Sequence, residues 1–381
     1  MGLLQGILAV CLVLLAYVYA GYPVLVRLLA GGLRRRVAAA PHTPSVTVLI
    51  AAYNEARHIV GTVRNKLAQD YPADRLDVIV ISDGSTDGTD ELVHGLADPR
   101  VQLIRQEPRA GKTAGLNLAA PRARGAILAF ADANSLWAPD ALARLVEPFA
   151  DAAVGYVTGR MVYRAPDGSL TGEGCSAYMS YENALRAWET ACGSIVGVDG
   201  GIDAVRRELH VAMRADQLPD FVLPLTVRER GFRVVYEPRA LLYEDALAAP
   251  ADEFRMRVRV SLRALHALHD KGALLNPLRF GLFAWQLWSH KLLRYLAPLF
   301  QIGALASNAV LAWGPWSFWK GLFAAQLLFY ALAWAGHRRR DGQSPRLVTL
   351  AYYLCLVNAA AGVALWRFLR GQRQVTWQPR T

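Results

Sequence analysis

The stretch that decides the fold is DVIVISDGSTDGT, residues 77–89, in which an apolar run ends in a short polar turn. Residues 78–81 are β-branched and apolar, which predicts a strand buried on both faces. The glycines and aspartates that follow favour a turn and then a helix start. Since open α/β sheets bind ligands beyond the carboxyl ends of their strands, Asp83 is a candidate ligand contact. The alternative is that Asp83 or Ser85 only caps the next helix.

The same alternation of strands and helices recurs along the first half of the chain. Helices are predicted at about residues 112–120 and from Pro139 to residue 150, where proline suits a first turn. This alternation predicts an α/β fold with a parallel sheet covered by helices on both faces. Less regular elements follow residue 153, including a helix near residues 178–190. The predicted strands are 46–51, 76–81, 101–104, 126–130, 156–163, 196–205 and 234–237.

Apolar stretches at the two ends of the chain predict membrane helices. The 381 residues are 54% hydrophobic, and the mean hydropathy of +0.19 is high for a soluble protein. Residues 3–20 carry no charge and are long enough to span a bilayer, and no basic start or cleavage site supports a signal peptide. We therefore predict an N-terminal transmembrane helix within residues 1–30. Three further stretches with tryptophans near their ends predict three transmembrane helices within residues 296–370.

The segment before these three helices is apolar but carries His290, Lys291 and Arg294. Spanning the membrane with them would cost about 2.5–3.5 kcal/mol for each charge at the bilayer centre. A helix lying on the membrane surface avoids this cost, so we predict an interfacial amphipathic helix at residues 278–295.

The net charge is +11, from 42 basic and 31 acidic residues. Arginine clusters at residues 34–36 and 338–340 flank the apolar stretches, as cytoplasmic anchors do, which disfavours a nucleic-acid-binding interpretation. They predict an integral membrane protein whose central domain is cytoplasmic. Four spans then place the C-terminal tail on the opposite side, in conflict with the arginines of the tail itself: Arg367, Arg370, Arg373 and Arg380.

Polar side chains follow three of the predicted strands, at residues 53–55 (YNE), Asp83 and residues 132–134 (DAN). Because the carboxyl ends of parallel strands meet at one edge, we expect these groups to converge on a site. Asp132 and Asn134 offer oxygens two residues apart, which suit Mg²⁺ or Mn²⁺ with substrate phosphates as its other ligands. The alternative is an Asx turn.

Four motifs resemble, in order and spacing, the nucleotide-sugar half of family 2 glycosyltransferases, which have the GT-A fold. The resemblance covers about residues 45–265, with a nucleotide-sugar half at 45–150 and an acceptor half at 151–265. The membrane helices resemble the polysaccharide-synthase branch, which includes cellulose, hyaluronan and poly-N-acetylglucosamine synthases. The motifs are AAYNE (51–55), VISDGSTDGT (80–89), GKTAGLNLA (111–119) and ADANS (131–135).

The resemblance implies roles for residues of the nucleotide-sugar half. Asp132 would bind the metal and the diphosphate. The usual DxD of the family is DAN here, so Asn134 is a neutral and weaker metal ligand. The nucleoside, commonly uridine in this family, would be held by Tyr53, Glu55, Asp83 and Lys112.

Two residues of the acceptor half also match the family. Asp220 stands at the place of the catalytic aspartate and would act as the general base on the acceptor hydroxyl; alternatively it caps the helix predicted at 221–230. Arg259 matches the arginine of the synthases' Gln-x-x-Arg-Trp and suits a diphosphate, although this basic helix also suits anionic lipid. The tryptophan is Val260 here, which weakens the case for processive elongation.

The resemblance implies a membrane-embedded inverting glycosyltransferase that moves a sugar from a nucleotide-sugar donor, expected to be UDP-linked, to a glycan or lipid-linked acceptor. Its expected partners are these substrates and membrane lipids, and no nucleic acid. One alternative is a polyprenyl-phosphate glycosyl transferase, whose phosphate acceptor needs no base at Asp220. Another is a non-catalytic membrane scaffold with a degenerate nucleotide-binding domain.

Overall fold

A central mixed β-sheet organises the protein, seen in a computed structural model that describes residues 2–164, 170–245, 250–315, 317–338 and 345–376. In these ranges eight strands form one sheet in the order β3-β2-β1-β4-β7-β6-β8-β5. The strands are β1 Val46–Ala52, β2 Leu76–Ser82, β3 Val101–Arg105, β4 Ile127–Asp132, β5 Leu136–Trp137, β6 Val154–Arg164, β7 Ile202–Arg206 and β8 Arg233–Asp245.

The predicted parallel pairing holds among the first four strands and recurs between β6 and β8, but the sheet as a whole is mixed. β1 pairs in parallel with both β2 and β4, and β2 pairs in parallel with β3. β7 reverses the direction, since it is antiparallel to β4 and to β6. β7 begins at Ile202 and not at residue 196, because the glycine-containing segment before it forms a loop.

Strand β2 is buried on both faces, as its run of β-branched residues predicted. Val78 and Val80 pack into the apolar core on one face of the sheet, and Ile79 and Ile81 pack into the core on the other face. All four side chains are at most 1% exposed. Burying each one stabilises the fold by about 1.5–3 kcal/mol, which is why this strand could be predicted from sequence.

Helices cover both faces of the sheet in the central domain. The helix predicted from Pro139 begins at Ala141, after the short strand β5 that the sequence did not predict. The central helices are α3 Ile59–Leu67, α4 Thr89–His94, α5 Lys112–Ala119, α6 Ala141–Val146, α7 Leu170–Cys192, α8 Pro219–Glu229 and α9 Pro250–Asp270.

Within the described residues, four helices are long and apolar enough to cross a membrane. The first, Gly2–Leu33, joins α1 (Gly2–Ala16) to α2 (Tyr22–Leu33) through a π-helical turn. A single turn, α10 (Pro277–Phe280), precedes the second, Leu282–Ala312. That helix contains α11 (Leu282–Leu287) and α12 (Leu293–Ala312), and the other two are α13 (Ser317–Arg338) and α14 (Arg346–Leu369).

The predicted interfacial helix at 278–295 is not a separate element. Most of it belongs to the continuous helix Leu282–Ala312. The side chains of His290 and Arg294 are buried, at 0% and 9% exposure, against acidic residues of α7. The prediction placed these charges at the membrane surface because their buried partners could not be recognised from sequence.

The last helix, α14, lies alongside α9 of the central domain. Phe254 packs in one apolar cluster with Leu356, and Leu265 packs in a second cluster with Leu365. The ring centre of His266 lies 4.8 Å from that of Phe368. In the most apolar part of α14, 56% of the residues are buried in the protein, against 11%, 33% and 6% for the other three candidates. This helix is therefore part of the packing of the central domain.

The tail after α14 returns to the central domain. His266 Nε2 donates to the carbonyl oxygen of Gln372 at 2.8 Å, and Arg373 forms an ion pair with Asp216. The sequence predicted a tail across the membrane from the central domain, whereas in the structure the tail contacts that domain. Arg339, Arg340 and Arg380 lie outside the described residues.

Candidate active site

The polar turns after β1 and β2 brace each other. The backbone N–H of Asn54 donates to Ser85 Oγ at 3.1 Å, and that of Glu55 donates to Thr89 Oγ1 at 3.0 Å. Asp87 accepts from the backbone N–H of Thr89, at the start of α4, at 3.1 Å. Thus Asp87, and not Asp83 or Ser85, binds the first turn of the helix.

Asp83 is enclosed by protein donors and its side chain is 2% exposed. Its carboxylate accepts from the backbone N–H groups of Ala110 at 2.8 Å and Gly111 at 3.1 Å, from Gln106 Nε2, and from Arg109 Nε at 3.4 Å. Charge-assisted bonds of this kind are about twice as strong as neutral ones. Asp83 therefore fixes the loop that leads into Lys112.

Tyr53 lies beside the same loop. The guanidinium carbon of Arg109 sits 3.4 Å from the centre of the Tyr53 ring, so one face of the ring is covered. Tyr53 and Asp83 do not line the main cavity, and their contact with a nucleoside stays a prediction.

A cavity of about 340 Å³ lies at the carboxyl edge of the parallel strands. The turns after β1 and β4 both contribute to its lining, as expected, whereas Asp83 does not. The structure brings six of the eight predicted site residues together in its lining. They are Glu55, Lys112, Asp132, Asn134, Asp220 and Arg259.

Two residues of the cavity lining, Lys112 and Asp132, form an ion pair in which Lys112 Nζ lies 2.7 Å from Asp132 Oδ1. Burial lowers the pKa of Lys112, but the carboxylates of Asp132, Asp220 and Asp203 outweigh burial, so the pKa lies above its usual value. Lys112 is therefore a permanent cation at neutral pH, at the start of α5, where it suits a phosphate.

Asp220 lies in the first turn of α8, after Pro219. A loop glycine makes room for its carboxylate: Gly200 has φ of +87°, and a Cβ there would come within 2.4 Å of Asp220 Oδ2. The positive φ and the close approach of the acid both favour glycine at this position.

Asp203 is an acid of the site region that the sequence did not single out. It is 1% exposed, on β7, and accepts from the backbone N–H of Gly200 at 3.0 Å. Burial and the nearby Asp199 and Asp220 carboxylates raise its pKa to about 7. Alternation along β7 was the available signal, since it places a polar residue on a strand that is otherwise buried.

Helix α3 holds the loop that carries Asp132 and Asn134. Thr62 Oγ1 donates to the carbonyl oxygen of Ala133 at 2.6 Å, and Lys66 Nζ donates to that of Ser135 at 2.7 Å. Lys66 is fully buried. This loop is positioned from behind by side chains that do not reach the cavity.

The pH dependence of stability should reveal the buried Lys66. Burial lowers its folded-state pKa to about 7, from 10.5 for an ordinary lysine. The contribution of Lys66 to the free energy of unfolding is therefore fully present above pH 10.5. It is lost as the pH falls toward 7, because the lysine binds a proton more tightly in the unfolded chain. Between pH 7.5 and 9.5 this group adds a slope of at most about 1.4 kcal/mol per pH unit.

We expect the apparent Tm of the wild type to rise relative to that of Lys66→Met across this pH range, in scanning fluorimetry of the detergent-purified protein. Lys271→Met, at a partly exposed lysine paired with Glu229, should keep the wild-type slope. Parallel pH curves for the wild type and Lys66→Met would contradict the prediction.

The arginines of α9 do not form one basic face. Arg255 is exposed and pairs with Asp252, whereas Arg263 is 7% exposed and donates to Thr113 Oγ1 at 3.1 Å. Arg257, Arg259 and Arg263 line the cavity, whereas Arg255 does not.

A buried charge network joins α7 to the apolar helices. Glu189 accepts from His290 Nδ1 at 2.6 Å and from the hydroxyl of Tyr22 at 2.5 Å, and Glu182 lies 3.1 Å from His290 Nε2 and binds Arg294. Burial raises the pKa of Glu182, but Arg294 and His290 hold it well below its usual range. The central domain is thereby tied to the first two apolar helices.

The residues of the cavity fit a hard divalent cation held mainly by substrate and water. Asp132 and Asn134 supply carboxylate and amide oxygens, which such cations prefer. No group of three or more His, Cys, Asp or Glu with metal-site geometry occurs in the part of the chain that the structure describes. This is the donor set expected for a cation that arrives with a diphosphate.

Comparison with known proteins agrees with this geometry. Residues 47–210 match the model of glycosyl transferase family 2. They are a family 2 glycosyltransferase domain. The predicted family and enzyme class are confirmed, and so is the α/β GT-A fold with flanking apolar helices.

Curated relatives of the glycosyltransferase act in polysaccharide and glycolipid synthesis. The succinoglycan biosynthesis protein ExoO of Rhizobium meliloti is 39% identical over 110 residues, 29% of this chain and 31% of its own. A β-monoglucosyldiacylglycerol synthase of Nostoc is 31% identical over 43% of this chain and 36% of its own. The poly-β-1,6-N-acetyl-D-glucosamine synthase of Staphylococcus aureus is 27% identical over 56% of this chain and 53% of its own. The chain thus spans about a third to a half of the length of these relatives.

A solved structure resembles the glycosyltransferase over nearly its full length. The mannosyltransferase PcManGT of Pyrobaculum calidifontis, in complex with GDP-Man and Mn²⁺, is 27% identical with a TM-score of 0.71. The match covers 94% of this chain and 99% of that one, so the likeness includes the apolar helices as well as the sheet.

Proposed function

We propose that the protein is a membrane-bound, inverting glycosyltransferase that moves a sugar from a nucleoside-diphosphate donor to a hydroxyl of a glycan or lipid-linked acceptor. One observation carries the proposal: a single cavity contains the Lys112–Asp132 pair, Asn134 and Asp220, and also reaches residues of α12 and α14. A phosphate-binding cation, a metal-binding loop and a base thus face a space bordered by apolar helices.

The donor chemistry follows from the charged groups of the cavity. Asp132 and Asn134 would hold a divalent cation, Mg²⁺ or Mn²⁺, which neutralises charge on the departing diphosphate. Lys112 and Arg259 bind and orient the same diphosphate. A UDP-sugar is the donor predicted from the sequence, and a GDP-sugar is the second candidate, since the structure similar over 94% of this chain contains GDP-Man and Mn²⁺.

The acceptor chemistry rests on Asp220. A carboxylate at the first turn of α8 can accept the proton of the attacking hydroxyl once that hydroxyl is within about 2.6–3.2 Å. Gly200 leaves the space that this carboxylate occupies. Attack from the face opposite the diphosphate inverts the anomeric centre, as the family resemblance implies.

A donor screen tests the proposal. The full chain in detergent is incubated with UDP- and GDP-sugars, Mg²⁺ or Mn²⁺, and membrane lipid extract, and nucleotide release is measured. We expect one donor class to be used, metal chelation to stop release, and NMR of the product to show inversion. Absence of both transfer and hydrolysis with every donor would contradict the proposal and favour the non-catalytic scaffold.

We also propose that only three of the four apolar helices span the membrane, and that α14 lies on the cytoplasmic face with the catalytic domain. The extensive burial of α14 against α9 and the contacts of Gln372 and Arg373 support this arrangement. It also places the arginines at 34–36, Arg338 and the tail on one side, as the positive-inside rule favours.

Labelling of single cysteines in sealed membrane vesicles tests this topology. In a background with the four native cysteines replaced by serine, Thr376→Cys should react with an impermeant maleimide from the same side as Arg207→Cys on the catalytic domain. Trp313→Cys, between α12 and α13, should react only from the other side. Labelling of Thr376→Cys together with Trp313→Cys would show that α14 crosses the membrane.

A further inference from the structure

One part of the cavity is distant in the chain from the donor groups and is built by α7, α12 and α14. Its lining includes Tyr178, Arg186, Lys291, Arg294 and Asn358. The proposed donor chemistry uses none of these residues. This region, here called the membrane end of the cavity, therefore needs its own explanation.

Most cations of the membrane end are neutralised within the protein. Arg186 pairs with Asp199 at 2.7 Å, and Arg294 pairs with Glu182. Lys291 differs, since it makes no hydrogen bond or ion pair with any residue that the structure describes. Its ammonium group is 5.9 Å from the centre of the Phe221 ring, a weak cation–π contact.

The position of Lys291 is specific. It belongs to the π-helical turn Trp288–Leu292, a type of helix irregularity found often at functional sites. A Cβ on Gly197 would come within 2.4 Å of Lys291 Nζ, so this glycine makes room for the ammonium group. Phe221 follows Asp220 directly, which places Lys291 on the acceptor side of the proposed base.

The carboxylates of Glu182 and Glu189 attract this ammonium group, but both are already bound by His290 or Arg294. An ammonium group without a direct partner is costly in a partly enclosed cavity. Ionisable residues on apolar membrane helices are accordingly rare and usually functional. A lysine acts as a point charge for phosphate, and a phosphate entering between α12 and α14 would supply the missing partner.

We propose that Lys291 binds the phosphate of a lipid-linked acceptor and thereby holds the acceptor hydroxyl at Asp220. The phosphate is an anchor and not the nucleophile. This inference rests on the proposed function and narrows its acceptor to anionic lipids. The donor diphosphate is bound elsewhere, by Lys112 and Arg259, so the two anionic groups occupy separate ends of one cavity.

Binding is tested first without any donor. The apparent Tm of the full chain in detergent is measured with farnesyl phosphate against farnesol, and with dihexanoyl phosphatidylglycerol against dihexanoylglycerol. We expect a phosphate-bearing lipid to raise the Tm of the wild type and of Lys320→Met, but not that of Lys291→Met. The phosphate lipid that raises the Tm shows whether the acceptor lipid is a polyprenyl phosphate or a glycerophospholipid. Equal stabilisation by inorganic phosphate alone, or by the neutral lipids, would overturn the proposal.

Transfer assays give the second readout, with the donor identified by the screen. Lys291→Met should raise the KM for the phosphate lipid about 10- to 100-fold, the effect expected for a charge-assisted hydrogen bond. Its donor KM and its hydrolysis of the donor in water should be unchanged, and Lys291→Arg should recover part of the affinity. A raised donor KM would instead assign Lys291 to the donor diphosphate. Donor hydrolysis is measured separately from acceptor binding. If hydrolysis is observed but Lys291→Met binds the phosphate lipid normally, the proposed function stands and the role of Lys291 is refuted.

Discussion

Replacing Asp220 by asparagine should lower the rate of sugar transfer by about 10²- to 10⁴-fold, the range for loss of a general base. The amide keeps the shape of the side chain beside Gly200 but cannot take the hydroxyl proton. Donor binding should change little, because Lys112 and Asp132 remain paired. The measurement is kcat and donor KM from nucleotide release in the presence of acceptor.

Asp98→Asn is the matched control, since Asp98 pairs with Arg100 in a surface turn and should leave kcat unchanged. Full turnover by Asp220→Asn would favour the alternative in which a lipid phosphate is itself the nucleophile, because an ionised phosphate needs no base. Loss of donor binding would instead assign Asp220 to the donor side.

Replacing Glu182 by glutamine should destabilise the protein by about 3–5 kcal/mol, the usual cost of breaking a buried ion pair by removing one partner. Glu182 is 4% exposed and binds Arg294, so the neutral amide leaves the buried guanidinium without its carboxylate partner. A fall of about 6–20 °C in the apparent Tm is expected in scanning fluorimetry, given about 2–4 °C per kcal/mol for larger domains.

Two further variants distinguish the effect of the lost charge on the Tm from an effect of altered packing. Glu208→Gln, at an exposed position, should leave the Tm unchanged. Combining Glu182→Leu with Arg294→Met removes both members of the pair and should recover much of the loss, since buried pairs are often replaceable by apolar residues. An unchanged Tm for Glu182→Gln would mean that the network does not hold α7 to the apolar helices.

The sequence predicted the first strands well because their burial is a local property. β1, β2 and β3 lie within one residue of the predicted ends, since each is an apolar run closed by turn residues. The rule for parallel strand ends predicted that Glu55, Asp132 and Asn134 would lie close together, and all three line one cavity.

Long-range pairing could not be predicted in the same way. Glu182 and Arg294 are 112 residues apart, and either charge by itself indicates a solvated or interfacial position. The pairing of α14 with α9 was missed for a related reason, because an apolar helix that covers a domain has the composition of one that faces lipid. The predicted position of the tail across the membrane rested on composition alone, without this contact.

The packing of α14 against α9 also limits where the chain can be truncated. A fragment ending after α9 would expose Phe254, Leu262 and Leu265 to water and would lack Val357 and Ala361 from the wall of its substrate chamber. Such a fragment would aggregate and have an incomplete pocket. The catalytic unit is thus discontinuous in the chain, and its final piece is supplied only after two further helices have been synthesised.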